Sequence, residues 1–330
     1  MRALLWIILV AAALWGGYWF AGAKATEQAV SGWFAEQDGR PVAAQHQGIA
    51  VRGFPNRFDL TITQPEIRDA ETGTGWSAPF AQIFTMTWKP WHLIAALPQE
   101  QTLSLPGQDL TISSTVMQGS LVLVPGMDLT LDRLSTESDG ITVRSSAGWA
   151  VSATSANLAT RRAPDSAMGH QIWAELTTVT PDAAFRMALS PLSDLPEQIE
   201  RLRLDGTVTL SAPVDRHLAT TRPDLQALTV KEALLLWGDL TVSGKGDIVP
   251  TADGTAEGRI DIRIDNWRKL VPVLVAAGLV TPEVSETVTR AMELMAAQDG
   301  TPDVLDVPLV FASGRMSLGH VPLGPAPRLR

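Results

Sequence analysis

The side chains best suited to chemistry are scattered along this chain. Five histidines, His46, His92, His170, His217 and His320, stand far apart, with no HExxH pair to put two imidazoles on one helix face. They read as ordinary surface or half-buried histidines. Cysteine is absent, which removes thiolate nucleophiles, disulfides, iron–sulfur clusters and cysteine-ligated zinc together. No G-x-S-x-G announces a serine nucleophile. Gly73-Thr74-Gly75 and Gly244-Lys245-Gly246 lack the remaining spacing of a phosphate loop and read as β-turns. Asp-Gly pairs begin at Asp38, Asp139, Asp205, Asp253 and Asp299, none inside an EF-hand loop; turn chemistry accounts for them, with 139 and 253 placed where hairpins need positive φ. A hydrolase would need two acidic groups with raised pKa converging on one cleft. We therefore assign no catalytic, cofactor-binding or metal-ligating residue, and expect no cofactor and no enzyme.

Tryptophan is abundant, with 11 copies against 1 tyrosine. Trp88, Trp91, Trp149, Trp173, Trp237 and Trp267 fall at element ends, as core and rim packing would place them. The sharper reading is that some line an apolar groove or touch a membrane surface.

The elements that must position these residues are mostly strands. Phe58, Leu60 and Ile62 alternate with polar neighbours, and a second strand follows at Ile83 to Trp88. Pro90 to Leu97 reads as a short helix with proline in its first turn. From about 102 to 158 alternation predicts a meander, including a strand over Met127, Leu129 and Leu131, with turns at Pro125-Gly126 and Asp139-Gly140. A strand at His170 to Thr178, a helical piece at Asp182 to Leu189, and a strand through Leu202, Leu204, Val208 and Leu210 come next. Gly238-Asp239 signals a hairpin, and Gly258 to Asp265 alternates Ile260, Ile262 and Ile264 with Arg259, Asp261 and Arg263. Asn266 can cap a helix carrying Trp267, Leu270, Val271, Leu274 and Val275, shortened by Pro272 and ended by Gly278. Thr281-Pro282 opens a second helix to about Ala297, with Val284, Val288, Ala291, Met292 and Met295 inward. One last strand, Val307 to Met316, precedes a Pro/Gly tail; order is expected throughout except at 160–168 and after 321. The expected fold is mainly β (α+β): an elongated, curved antiparallel sheet with a few short helices, a helical pair before the last strand, and an N-terminal transmembrane helix.

That last element decides the compartment. The uncharged run Ala3 to Ala23 meets the roughly 20 apolar residues that span a bilayer core of ~30 Å. Trp15, Tyr18, Trp19 and Phe20 crowd one end as an interfacial belt, and Val30, Trp33 and Phe34 continue a helical face until Asp38 to Pro41 stop it. We read residues 1–23 as a signal-anchor and 24–330 as an exported β-rich body. The alternative is a signal peptide cleaved at Ala21-Gly22-Ala23. Both export the body. The formal net charge of −9 repels a phosphate backbone and excludes nucleic acid as the expected partner.

Gly53-Phe54-Pro55 with Arg57 resembles the motif of the domain of unknown function 2125 (DUF2125), a family of alphaproteobacterial envelope proteins. Trp88 to Leu97, Leu195 to Leu204, Gly258 to Leu270, and Phe311 to Gly319 followed by Pro322, Gly324 and Pro327 extend the resemblance over almost the whole chain. It implies a single-pass inner-membrane anchor and a periplasmic body. The strand grammar of Leu240 to Ile248 also looks like AsmA-type proteins, associated with envelope lipid homeostasis. The expected function is accordingly non-enzymatic: an apolar sheet face presented to lipid or to an envelope protein. The alternative is a scaffold that docks a protein partner through the helix pair 267–297 and binds no small molecule.

Overall fold

The computed structural model describes residues 2–37, 41–166, 168–218, 223–298, 301–319 and 321–329. Asp38 to Arg40 of the expected stop, the Asp299-Gly300 pair and His320 lie outside the described residues. Among those described, the chain is a mainly β, α+β protein with 20 strands, all pairings antiparallel, and four helices. The chain divides into two compact units, residues 1–125 with 136–148, and residues 126–135 with 149–330.

The first unit begins with α1 (Arg2–Glu36), one uninterrupted helix long and apolar enough to cross a membrane. One strip of its strands pairs in the order β2 (Gly48–Arg52), β3 (Arg57–Thr63), β6 (Phe80–Met86), β7 (Lys89–Ala96), β10 (Val116–Leu123). A second pairs β1 (Val42–Gln45), β4 (Glu66–Asp69), β5 (Thr74–Ser77), β8 (Glu100–Leu105), β9 (Gln108–Ser113) and the later half of β11 (Leu131–Ser145). In β3 the alternation buries Phe58, Leu60 and Ile62 on one face. Leu60 and Ile62 pack with Ala44 and with Phe34 of α1, so the helical face continues past the apolar run as its spacing predicts.

Three expectations for this unit and its border are corrected. Pro90 to Leu97 is not a helix but β7, held between β6 and β10. Its run Leu93-Ile94-Ala95-Ala96 faces neighbours on both edges, and such a continuous apolar run has no period to separate strand from helix. Pro90 sits where the β6–β7 register shifts, so its missing N–H interrupts no ladder bond. Asp139-Gly140 lies inside β11 rather than at a hairpin, although Gly140 does take φ 57°. The strand expected over Met127 to Leu131 starts only at Leu131, because Leu129 adopts φ 50° and leaves the extended region.

The second unit is a meander: β12 (Ala150–Arg162), β13 (Gly169–Val179), β14 (Ile199–Leu210), β15 (Leu225–Trp237), β16 (Leu240–Pro250), β17 (Ala256–Asp265), β18 (Val304–Ala312), β19 (Arg315–Leu318) and β20 (Val321–Pro325). Gly238-Asp239 is the two-residue turn that sets Trp237 opposite Leu240. The helix α2 (Ala183–Leu189) is capped by Asp182, whose carboxylate accepts from the Ala184 N–H at 2.8 Å. The expected last strand is in fact the hairpin β18–β19, because Ser313 and Gly314 both take positive φ, as a tight hairpin turn demands. The Pro/Gly tail supplies β20, and β12 extends to Arg162 in the stretch where order was doubted.

Between β17 and β18 a 3₁₀ turn (Trp267–Lys269) leads into α3 (Leu270–Ala276), followed by α4 (Pro282–Gln298). Asn266 precedes the turn in the left-handed conformation, but its amide donates to the Asp239 carbonyl rather than capping. Trp267, Val271, Met292 and Ala296 pack on Leu240, Ile264, Leu305 and Val307, the main core of this unit. Val284, expected inward, is exposed; Ala296 takes an inner place instead.

Candidate functional site

Registers β13 to β18 sort the second unit's sheet into two chemically opposite faces. On one face Ala174 and Leu176 align with Leu204 and Leu202, and these with Ala233 and Leu235. Leu235 lies opposite Val242, and Val242 opposite Ile264, so the apolar row continues across β16 and β17. On the other face Arg203 reaches Glu175 at 2.9 Å and Glu232 at 3.4 Å, and Arg263 reaches Asp306 at 3.0 Å and Asp265 at 3.1 Å. The Glu175 hydrogen bond leads the causes that raise the Arg203 pKa.

The apolar face is covered at both ends and open between. At one end α3 and α4 lie over Ile264, Leu305 and Val307. At the other the C-terminal segment brings Ala326 and Leu329 onto Val230, Ala256 and Phe311, held by Ala256 N–H to Pro327 O at 2.9 Å and Leu329 N–H to Gly254 O at 2.8 Å. Between them is a groove of about 370 Å³, with Leu176, Leu202, Leu204, Leu235, Val242 and Ile262 in its lining. Gly244 keeps its floor low, since a Cβ there would stand 3.3 Å from Ile260 Cγ2. Arg203 and Ser243 also line it, and a mostly apolar groove of this kind can shelter an apolar chain.

The four described histidines do not come together. His46 packs edge-on to Phe34 at 4.6 Å, His92 Nε2 lies 2.9 Å from Ser120 Oγ, and the His217 N–H donates to Asp215 at 2.7 Å. His170 is buried with neither ring nitrogen hydrogen-bonded, and burial, followed by the Arg162 charge, lowers its pKa. Among the described residues no three His, Asp or Glu side chains group as a metal ion requires. Asp182, Asp194, Asp253 and Glu283 are all shifted downward by hydrogen bonds, the direction opposite to a general acid's need. Trp237 and Trp267 are core residues whose indoles donate to Pro196 O and Pro302 O at 2.7 and 3.0 Å, whereas Trp88 stands exposed.

Gly53-Phe54-Pro55 and Arg57 form the β2–β3 turn, against α1. Gly53 takes φ 101° and its carbonyl accepts from Arg57 N at 2.9 Å, while the Arg57 side chain meets Asp59 at 2.8 Å. Trp15 and Trp19 of α1 donate to Pro55 O and Arg57 O at 2.9 and 2.7 Å, and Tyr18 donates to Thr87 O at 2.7 Å. The aromatic end of the apolar run thus grips the turn that carries the motif. The family model described as an uncharacterised protein conserved in bacteria (DUF2125) matches residues 19–327, from inside α1 almost to the C-terminus. The chain belongs to the DUF2125 family. No curated protein and no solved structure matches it, and the looser likeness to AsmA-type proteins has no counterpart in these matches. Membership in DUF2125 brings no activity with it, so function rests on the geometry.

Sequence reasoning did not find the groove. Its residues alternate legibly strand by strand, but the bulges at Asp205/Gly206 and between Val230 and Ala233 shift the register by steps that no single strand reveals.

Proposed function

We propose that this DUF2125 protein is a non-enzymatic, single-pass inner-membrane protein with its body in the periplasm, where it serves envelope lipid homeostasis by holding an acyl chain on its apolar sheet face. The observation that carries the reading is the open stretch of that face between α3–α4 and the C-terminal segment. The leucine, valine and isoleucine of that row are half-buried rather than covered, and apolar surface left to water costs about 25 cal/mol per Å², which an apolar ligand would recover. Its volume falls within the ~300–1,000 Å³ of small-molecule sites. The protein-scaffold alternative draws less support, since Trp267, Val271, Met292 and Ala296 of the helix pair face the chain's own core, although Val284 and Leu294 stand exposed.

The test is photo-crosslinking of the full chain in bilayers containing a phospholipid with a diazirine in its acyl chain. Crosslinks are expected on peptides holding Leu176, Leu202 and Leu235, and fall several-fold in Leu202→Glu with circular dichroism unchanged. Crosslinks confined to α1 in the unaltered chain sink the proposal.

A further inference from the structure

The uncharged run of α1 ends at Ala23, yet its docking on the body begins at Trp15, whose indole donates to Pro55 O. Only Ala3 to Leu14 stands clear, which at 1.5 Å per residue is about 18 Å. A bilayer core is roughly 30 Å thick. If α1 crosses it, the remaining length is made by the residues after Leu14, and whatever packs on them descends with them.

What packs on them is built for that depth. The β2–β3 turn and the Thr87-Trp88 turn between β6 and β7 lie at the same end of the sheet, because Arg57 pairs with Met86. Phe54 stacks on Phe20 at 5.8 Å and meets Trp19 edge-on at 5.5 Å. Phe20, Phe54, Trp88 and Met86 are 66, 56, 57 and 42% exposed, a cluster of large apolar side chains at one tip of the first unit. Irregular backbone is tolerated at membrane depth only where its polar groups are satisfied within the protein. Five carbonyls of these turns are: Gly53 O accepts from Asn56 N and Arg57 N, Asn56 O from Thr87 N, and Pro55 O, Arg57 O and Thr87 O from Trp15, Trp19 and Tyr18. Arg52 and Arg57 stand exposed beside the tip, the residue type that pairs with phosphate headgroups at a membrane surface.

We infer that turns 53–56 and 86–88 form a second membrane contact, immersed in the headgroup and upper acyl region of the leaflet from which α1 emerges. The inference rests on the reading that α1 spans a membrane. In it the motif Gly53-Phe54-Pro55 is a membrane-seated collar, with Phe54 and Trp88 as its wedges.

The absence of cysteine makes the test clean, since single cysteines at Phe54→Cys, Trp88→Cys, Leu9→Cys and Thr72→Cys each give one spin-labelling position. Thr72 lies in the β4–β5 turn, at the far end of the strips from Arg57. The full chain is reconstituted into phosphatidylethanolamine/phosphatidylglycerol vesicles, and relaxation by oxygen is compared with relaxation by a water-soluble nickel chelate. Labels at 54, 88 and 9 are expected to show an oxygen-to-nickel ratio several-fold above that at 72. Labels at 54 and 88 matching 72, while 9 stays lipid-exposed, overturn the collar and leave the anchor standing. An aqueous label at 9 overturns both. Trp88 makes the result independent of the Phe54–Phe20 packing.

Discussion

Gly258 shows how little latitude the second unit's sheet leaves at a single residue. It has φ 143°, and a Cβ built there would stand 2.1 Å from Asp247 O and 3.0 Å from Ile248 Cα. Gly258→Ala forces β16 and β17 apart next to Ile260, and a loss of about 3 kcal/mol or more is expected in chemical denaturation. Asp253, in the β16–β17 turn, makes a pH-dependent contribution. Thr251 first, then the Thr255 hydroxyl and N–H, hydrogen-bond its carboxylate and lower its pKa from 3.8 to about 2. Because the folded value lies below the unfolded one, the stabilisation is complete above pH 3.8 and is lost as the pH falls through about 2. The gap in denaturation midpoint between the unaltered chain and Asp253→Asn should therefore close between those values. The aspartate-glycine pair at 253 was legible as a turn from sequence, but the same dipeptide at 139 was not legible as an interior kink. Only the pairing of Thr115 N–H with Asp139 O places it inside β11.

At the scale of elements, α1 does two jobs along one helix: the stretch to Leu14 stands free, and the stretch from Trp15 to Phe34 packs on β3. Trp19 and Ala23 are buried against Phe58, and the absence of a side chain at Gly22 lets the helix approach, since a Cβ there would meet Phe58 Cζ at 2.6 Å. Gly22→Leu should push helix and strand apart at a cost of about 1–3 kcal/mol. Trp19→Phe keeps the ring but leaves Arg57 O without its donor, for about 1–3 kcal/mol in detergent-solubilised unfolding. Cleavage after Ala23 would remove all three aromatic hydrogen bonds to the turns. The helix itself was evident from its uncharged length, and the strands of the second unit from alternation. The tertiary use of the aromatic belt was not, because Trp and Tyr satisfy a lipid interface and a row of carbonyls with the same indole and hydroxyl donors.

For the molecule as a whole, composition set outer limits that the structure fills with detail. A chain with no cysteine has no thiol chemistry, and its sheets are held by backbone ladders, packing and ion pairs without disulfides. The second unit concentrates charge on one face and leaves the other apolar, covered by α3–α4 and the C-terminal segment at its ends. The proposed lipid handling rests on that division and stands or falls with it. The most direct measurement is native mass spectrometry of the full chain released gently from membranes. The account predicts a phospholipid-sized mass adduct that survives detergent removal and disappears in Leu202→Glu while the fold persists. An unadorned chain mass under the same conditions, or an adduct indifferent to Leu202→Glu, would contradict it.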